Sequence, residues 1–161
     1  MSTLFDTTLT DSIIEKYLAT GVWKNQTLLD HLERWKEKQP QAIAAQDPYG
    51  AHTYAELSED VEKCARALVD LGVETGDVIG IQLPNWYEWL VIHLAAIKVG
   101  AITNGLIPIY RDREIGYMAK KAKVSVLFIP TLFRKFDYAN MVDRLRPNLP
   151  DLKHTIVLDS P

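Results

Sequence analysis

Asp77-Val78-Ile79-Gly80-Ile81-Gln82-Leu83, broken at once by Pro84-Asn85, is the stretch on which the fold turns. It is short, nearly continuous in apolar side chains and rich in β-branched residues. A strand reads this way when both its faces are covered, as in a parallel sheet. Pro84-Asn85 ends it, and Asn85 is placed to cap the helix that follows. Leu90, Val91, Ile92, Leu94, Ala95, Ala96 and Ile97 make that helix apolar nearly all round, so it should be deeply buried. Gly100 stops it, and Ala101–Ile107 reads as the next strand.

The same alternation continues downstream. Asp112 is a candidate cap for a helix carrying Ile115, Met118 and Ala119. Val124–Ile129 is a buried strand closed by Pro130. Tyr138, Met141, Val142 and Leu145 line one face of a helix stopped by Pro147, and His154–Leu158 is the last strand. Strand and helix in turn predict an α/β class: a mainly parallel, doubly wound sheet with flanking helices.

Upstream, Ser12 and Glu15 can form a capping box before Ile13, Ile14, Tyr17 and Leu18, with Gly21 as the stop. Thr27 caps a second helix with Leu28, Leu32 and Trp35 on one face, ending before Pro40. Gln41–Gln46 and Ala51–Thr53 are paired strands around the turn Asp47-Pro48-Tyr49-Gly50. Thr53 and Glu56 form the clearest capping box. They open a helix with Leu57, Val61, Cys64 or Ala65, Leu68 and Leu71 on one face, ended by Gly72. The chain divides into a helical arm over 1–40 and an α/β subdomain over 41–161.

Composition narrows the function. The 161 residues are 47% hydrophobic and 24% charged, with a net charge of −3. That balance is globular, and it speaks against nucleic acid as the main partner, since such domains are usually basic. The one cysteine, Cys64, cannot form an internal disulfide and falls on an apolar helix face, where an inert thiol is expected. Met1–Thr10 lacks the apolar core of a secretory signal and no apolar run reaches membrane-spanning length, so a cytoplasmic protein without a membrane span is expected.

In open α/β sheets, ligands bind beyond the carboxyl ends of the strands. Three loops qualify: Leu83–Asn85, Gly105–Arg111 and Pro130–Asp137. None carries G-x-G-x-x-G, and G-x-x-x-x-G-K-[ST] is absent from the chain. Gly72, Gly76 and Gly80 fit turn and packing needs instead. The four histidines lack metal-ligand spacing, and His93, in the most apolar helix, reads as a hydrogen-bonded core residue. No catalytic or metal-binding residue is assigned. Asn104, Tyr110, Arg111 and Arg113 follow a strand, where arginine could hold a carboxylate or phosphate. The plainer reading of Arg111-Asp112-Arg113-Glu114 is a set of ion pairs at a helix start. Phe133-Arg134-Lys135-Phe136 could stack on a base, but a surface loop with buried phenylalanines fits an acidic chain better.

Three stretches, in order, resemble one family. Thr53-Tyr54-Ala55-Glu56-Leu57 resembles the first core motif of the adenylate-forming (AMP-binding) enzymes. Gly76 through Asn85 is similar to that family's strand and turn, and Leu94 through Ala101, running on to Leu106-Ile107-Pro108, resembles its second core motif. The likeness covers about 28–158. Thr20-Gly21-Val22-Trp23 and Pro108 through Ile115 look most like cyclohexanecarboxylate-CoA ligase and the aryl-acid ligases. Gly105 departs from the family, which commonly has proline there.

The resemblance implies the N-terminal subdomain of the acyl-CoA synthetase-like fold. It implies a parent ligase that uses ATP and Mg²⁺ to turn an alicyclic, aromatic or fatty carboxylic acid into an acyl-adenylate, then passes the acyl group to CoA. The family's Ser/Thr/Gly-rich phosphate loop, its aromatic-Thr-Glu segment, its ribose-binding Asp and its C-terminal lysine match no position here. The chain is therefore expected to be a piece ending before the phosphate loop, inactive and structural alone, with no cofactor of its own. Its expected partner is the remainder of the ligase, or a second copy through an exposed apolar surface. Asn104, Tyr110 and Arg111 are the residues expected near substrate or CoA. A stand-alone interaction module or a weak nucleotide-binding module is the alternative.

Overall fold

Val78–Ile81 (β3) forms the centre of the molecule, and all four residues are buried. The computed structural model describes residues 9–159. Parallel neighbours flank β3: Ile102–Gly105 (β4) on one side and Val124–Pro130 (β5) on the other, with His154–Leu158 (β8) beyond β5. In chain order these four strands lie 2-1-3-4. The winding therefore reverses at β3 and covers both faces, the doubly wound arrangement.

The alternating side chains of β3 show how it works. Ile79 and Ile81 join Val126 and Phe128 under Tyr54–Asp70 (α3) and Tyr87–Lys98 (α4). Val78 joins Leu127 and Ile129 under Asp112–Lys121 (α5) and Tyr138–Leu145 (α6). Each fully buried side chain of this kind contributes roughly 1.5–3 kcal/mol. Gly80 faces Leu127 so closely that an added Cβ would sit 2.8 Å from Leu127 Cδ1, which accounts for glycine in mid-strand.

The helix and hairpin just upstream pack on the α3–α4 layer. Asp11–Ala19 (α1) buries none of its residues. Leu28–Lys38 (α2) sends Leu32 between Leu57, Val61, Tyr87, Val91 and Leu94. Leu28 and Trp35, expected on the same buried face, are 54% and 39% exposed, because α2 meets its neighbours along a narrow stripe. Ile43–Gln46 (β1) and Ala51–Thr53 (β2) pair antiparallel around the Asp47–Gly50 turn. The Thr53–Glu56 capping box is present, with Thr53 N donating to Glu56 at 2.8 Å and Glu56 N to Thr53 at 3.2 Å.

Several caps differ from expectation. Thr10, not Ser12, caps α1 and accepts from Ile13 N at 3.4 Å; Ser12 is already helical. Asn85 does not cap α4. The Tyr87 N–H instead donates to Asp47, 40 residues earlier, at 3.0 Å. Asp112 is the first helical residue of α5. Glu114 reaches back to the Arg111 N–H, and Asp112 takes two hydrogen bonds from Arg144, at 2.8 and 3.0 Å. The 133–136 segment is not an irregular loop. Leu132–Phe133 (β6) and Phe136–Asp137 (β7) form a tight hairpin turning on Arg134 and Lys135, both at positive φ. Met1–Thr8 of the expected arm and Ser160–Pro161 lie outside the described residues.

Candidate functional site

The strand order fixes where a ligand could lie. In a 2-1-3-4 sheet the connections diverge above the carboxyl ends of β3 and β5, leaving a crevice. A cleft of about 400 Å³ occupies that place. The loop after β3 supplies Pro84 and Asn85. The loop after β4 supplies Ile107, Pro108, Ile109 and Arg111. The β6–β7 hairpin and the start of α6 supply Phe133, Arg134 and Tyr138.

Of the three residues singled out in the sequence, Arg111 lines this cleft. Its Nη1 donates to the carbonyls of Pro108, at 2.6 Å, and Tyr110, at 2.9 Å. Its guanidinium carbon lies 3.9 Å from the centre of the Phe136 ring and 5.6 Å from that of Tyr138. Stacked and tied in this way, the group has little conformational freedom left to lose on binding. The Tyr110 side chain is partly buried against the core under α5 and α6 and does not line the cleft. Asn104 lies within β4, opposite Gly80, and is not on the cleft wall. Arg144 engages Asp112, so part of the 111–114 charge set is intrachain pairing.

Other members of the site were not singled out by the sequence. Tyr138, 1% exposed, donates its hydroxyl to the Pro108 carbonyl at 2.7 Å. Gln82, wholly buried at the end of β3, holds the same loop from beneath. Its one available signal was an amide inside an apolar strand run. Trp86 stands edge-on to Phe133, with centroids 6.4 Å apart, and edge-on to Tyr49 at the same distance.

The reactive side chains elsewhere are quiet. Burial pushes the Cys64 thiol up to about 11, so it stays protonated at neutral pH. His93 bonds Thr103 at 3.0 Å, and burial lowers its pKa, which keeps it neutral. Among the described residues no three His, Cys, Asp or Glu side chains gather as a metal site. Among them, too, no helix is long and apolar enough to cross a membrane. A second, apolar cavity of about 310 Å³ opens between α3, α4 and the β8 edge, lined by Cys64, Ile92, Phe128, Ile156 and Leu158 among others.

Comparison with known proteins bears on this cleft. The family model described as AMP-binding enzyme matches residues 32–161. The chain is 33% identical to the medium-chain fatty-acid–CoA ligase of Escherichia coli K12, over 89% of its own length and 25% of that protein's. It is also 33% identical to the salicyl-AMP ligase / salicyl-S-ArCP synthetase of Mycobacterium tuberculosis, covering 90% of this chain and 26% of that one. Among solved structures, the apo structure of Mycobacterium smegmatis MbtA superposes with a TM-score of 0.84 at 28% identity, over 94% of this chain and 28% of that one. The chain thus spans about a quarter of the length of the relatives it matches.

Proposed function

This chain belongs to the AMP-binding enzyme family, and from that premise we propose that it is the N-terminal α/β part of an ATP-dependent acid–thiol ligase. In this reading the ligase works in the cytoplasm, joins an alicyclic, aromatic or fatty carboxylic acid to AMP, and passes the acyl group to CoA. Its relatives act on substrates of two of these kinds, a medium-chain fatty acid and salicylate. The observation that carries the proposal is the cleft at the switch point of a sheet lying wholly inside the matched residues.

The chain's own contribution is a wall. Of the residues expected near substrate or CoA, Arg111 borders the space offered to them. Its guanidinium is held for an anionic group by two carbonyls and two aromatic rings. Phosphoryl transfer depends on positioning and on neutralising charge. The chain has no glycine-rich phosphate loop, so in this reading the phosphates are held by the remainder of the ligase. Its partner is the remainder of the ligase. The apolar cavity beside β8 is the surface that would meet that remainder, and a second copy could occupy it instead.

Pyrophosphate release with ATP, Mg²⁺ and a panel of aromatic, alicyclic and medium-chain acids tests this reading. The 161-residue chain alone is expected to release none. A ligase carrying the chain is expected to release pyrophosphate only when an acid is present, and to consume CoA. Release by the chain alone would overturn the scaffold role. A ligase indifferent to acids would overturn the activity.

A further inference from the structure

One buried side chain shapes the cleft from beneath. Gln82, one residue past β3 and between the apolar Ile81 and Leu83, is 0% exposed, a position where an amide must find hydrogen bonds. Its Nε2 donates to the Tyr110 carbonyl at 3.0 Å and, more weakly, to the Ile107 carbonyl at 3.4 Å. Its Oε1 is buried with no protein partner among the described residues. Arg111 and Tyr138 donate to the same short loop, at Pro108 and Tyr110. Side chains from the residue after β3, from the loop itself and from α6 thus converge on three carbonyls.

That loop lies outside any helix or strand, yet it holds Ile107 55% and Ile109 70% exposed. Apolar side chains kept in water on a braced backbone are preorganised for contact, because the ordering cost has been met before the ligand arrives. For core packing alone, methionine would suit position 82 better. It matches the length of glutamine and leaves no stranded acceptor, which is costly when buried. The amide is explained by what it holds in place.

We infer that Gln82 is a positioning residue: its amide fixes the Ile107–Tyr110 wall in the shape that meets substrate, without itself touching substrate. The inference rests on the ligase reading above. Gln82→Met is made both in the 161-residue chain and in the ligase carrying it, with Tyr138→Phe as a second variant that withdraws the donor at Pro108. Hydrogen exchange at the Tyr110 amide is expected to speed up about tenfold in the chain, with no fall in Tm, since the stranded acceptor is removed. In the ligase, KM for the acid or for CoA is expected to rise roughly fivefold to tenfold while kcat stays within about twofold. Unchanged exchange in both variants overturns the bracing. Faster exchange with all KM values unchanged overturns the link to substrate. A ligase already without turnover before substitution overturns the ligase reading instead, and exchange then decides the bracing by itself.

Discussion

Asp47 accepts three backbone N–H groups: Tyr49 at 2.8 Å and Gly50 at 2.9 Å through Oδ1, and Tyr87 at 3.0 Å through Oδ2. One carboxylate therefore closes the first turn and also caps α4. Burial works to raise its pKa, but the three donors outweigh burial and bring it below the ordinary 3.8. A depressed carboxyl stabilises the fold fully above its unfolded pKa, and that contribution is lost as pH falls through the folded value. Asp47→Ala is expected to lower Tm at pH 7 and to flatten the acid limb of the stability–pH curve below about pH 4. Urea denaturation across pH 2.5–7 checks this, and an acid limb of unaltered steepness would count against it. The role was not legible in the sequence. Asp47 showed as a turn residue, and its distant partner became a neighbour only when the first hairpin docked on α4. Asn85, Ser12 and Asp112 illustrate the converse. Each polar residue near a helix start has the chemistry of a cap, and only backbone geometry selects one.

Elements were read well wherever burial governed them. Val124–Pro130 is buried throughout and one residue longer than expected, and β3 is central as its apolar run required. The expected Ala101–Ile107 strand is Ile102–Gly105, because its one partner, β3, offers four residues to pair with. The β6–β7 hairpin was missed because its turn lacks the Asn-Gly or Asp-Gly pair that marks such hairpins. Arg134 and Lys135 stand there instead, at φ 51° and 64°. A non-glycine residue in the left-handed region costs about 1–2 kcal/mol. Lys135→Gly is expected to relieve part of that and stabilise the chain by up to about 1 kcal/mol, after the extra chain entropy of glycine is subtracted. Chemical denaturation measures it. A clear loss of stability would show that the lysine side chain anchors the hairpin.

For the molecule as a whole, the motifs in sequence pointed to the family, the three loops expected after the strands line the cleft, and the strand order brings them together. Gln82, Arg111 and Tyr138 meet through contacts spanning about thirty positions. Pattern reading along the chain weighs near neighbours, so this convergence lay beyond it. The apolar cavity beside β8 has a consequence of its own. The chain by itself is expected to self-associate as its concentration rises, and Leu158→Glu should weaken that association. Sedimentation of the two forms decides, and a strictly monomeric parent chain at high concentration would refute it. The strand order also bears on synthesis. β3 leaves the ribosome before any of its neighbours, β4 joins one edge, β5 the other, and β8 is laid outside β5. Each strand is added to an open edge in the order it is made. The nascent sheet can therefore grow outward from its first strand, with no later strand inserted between two that are already paired.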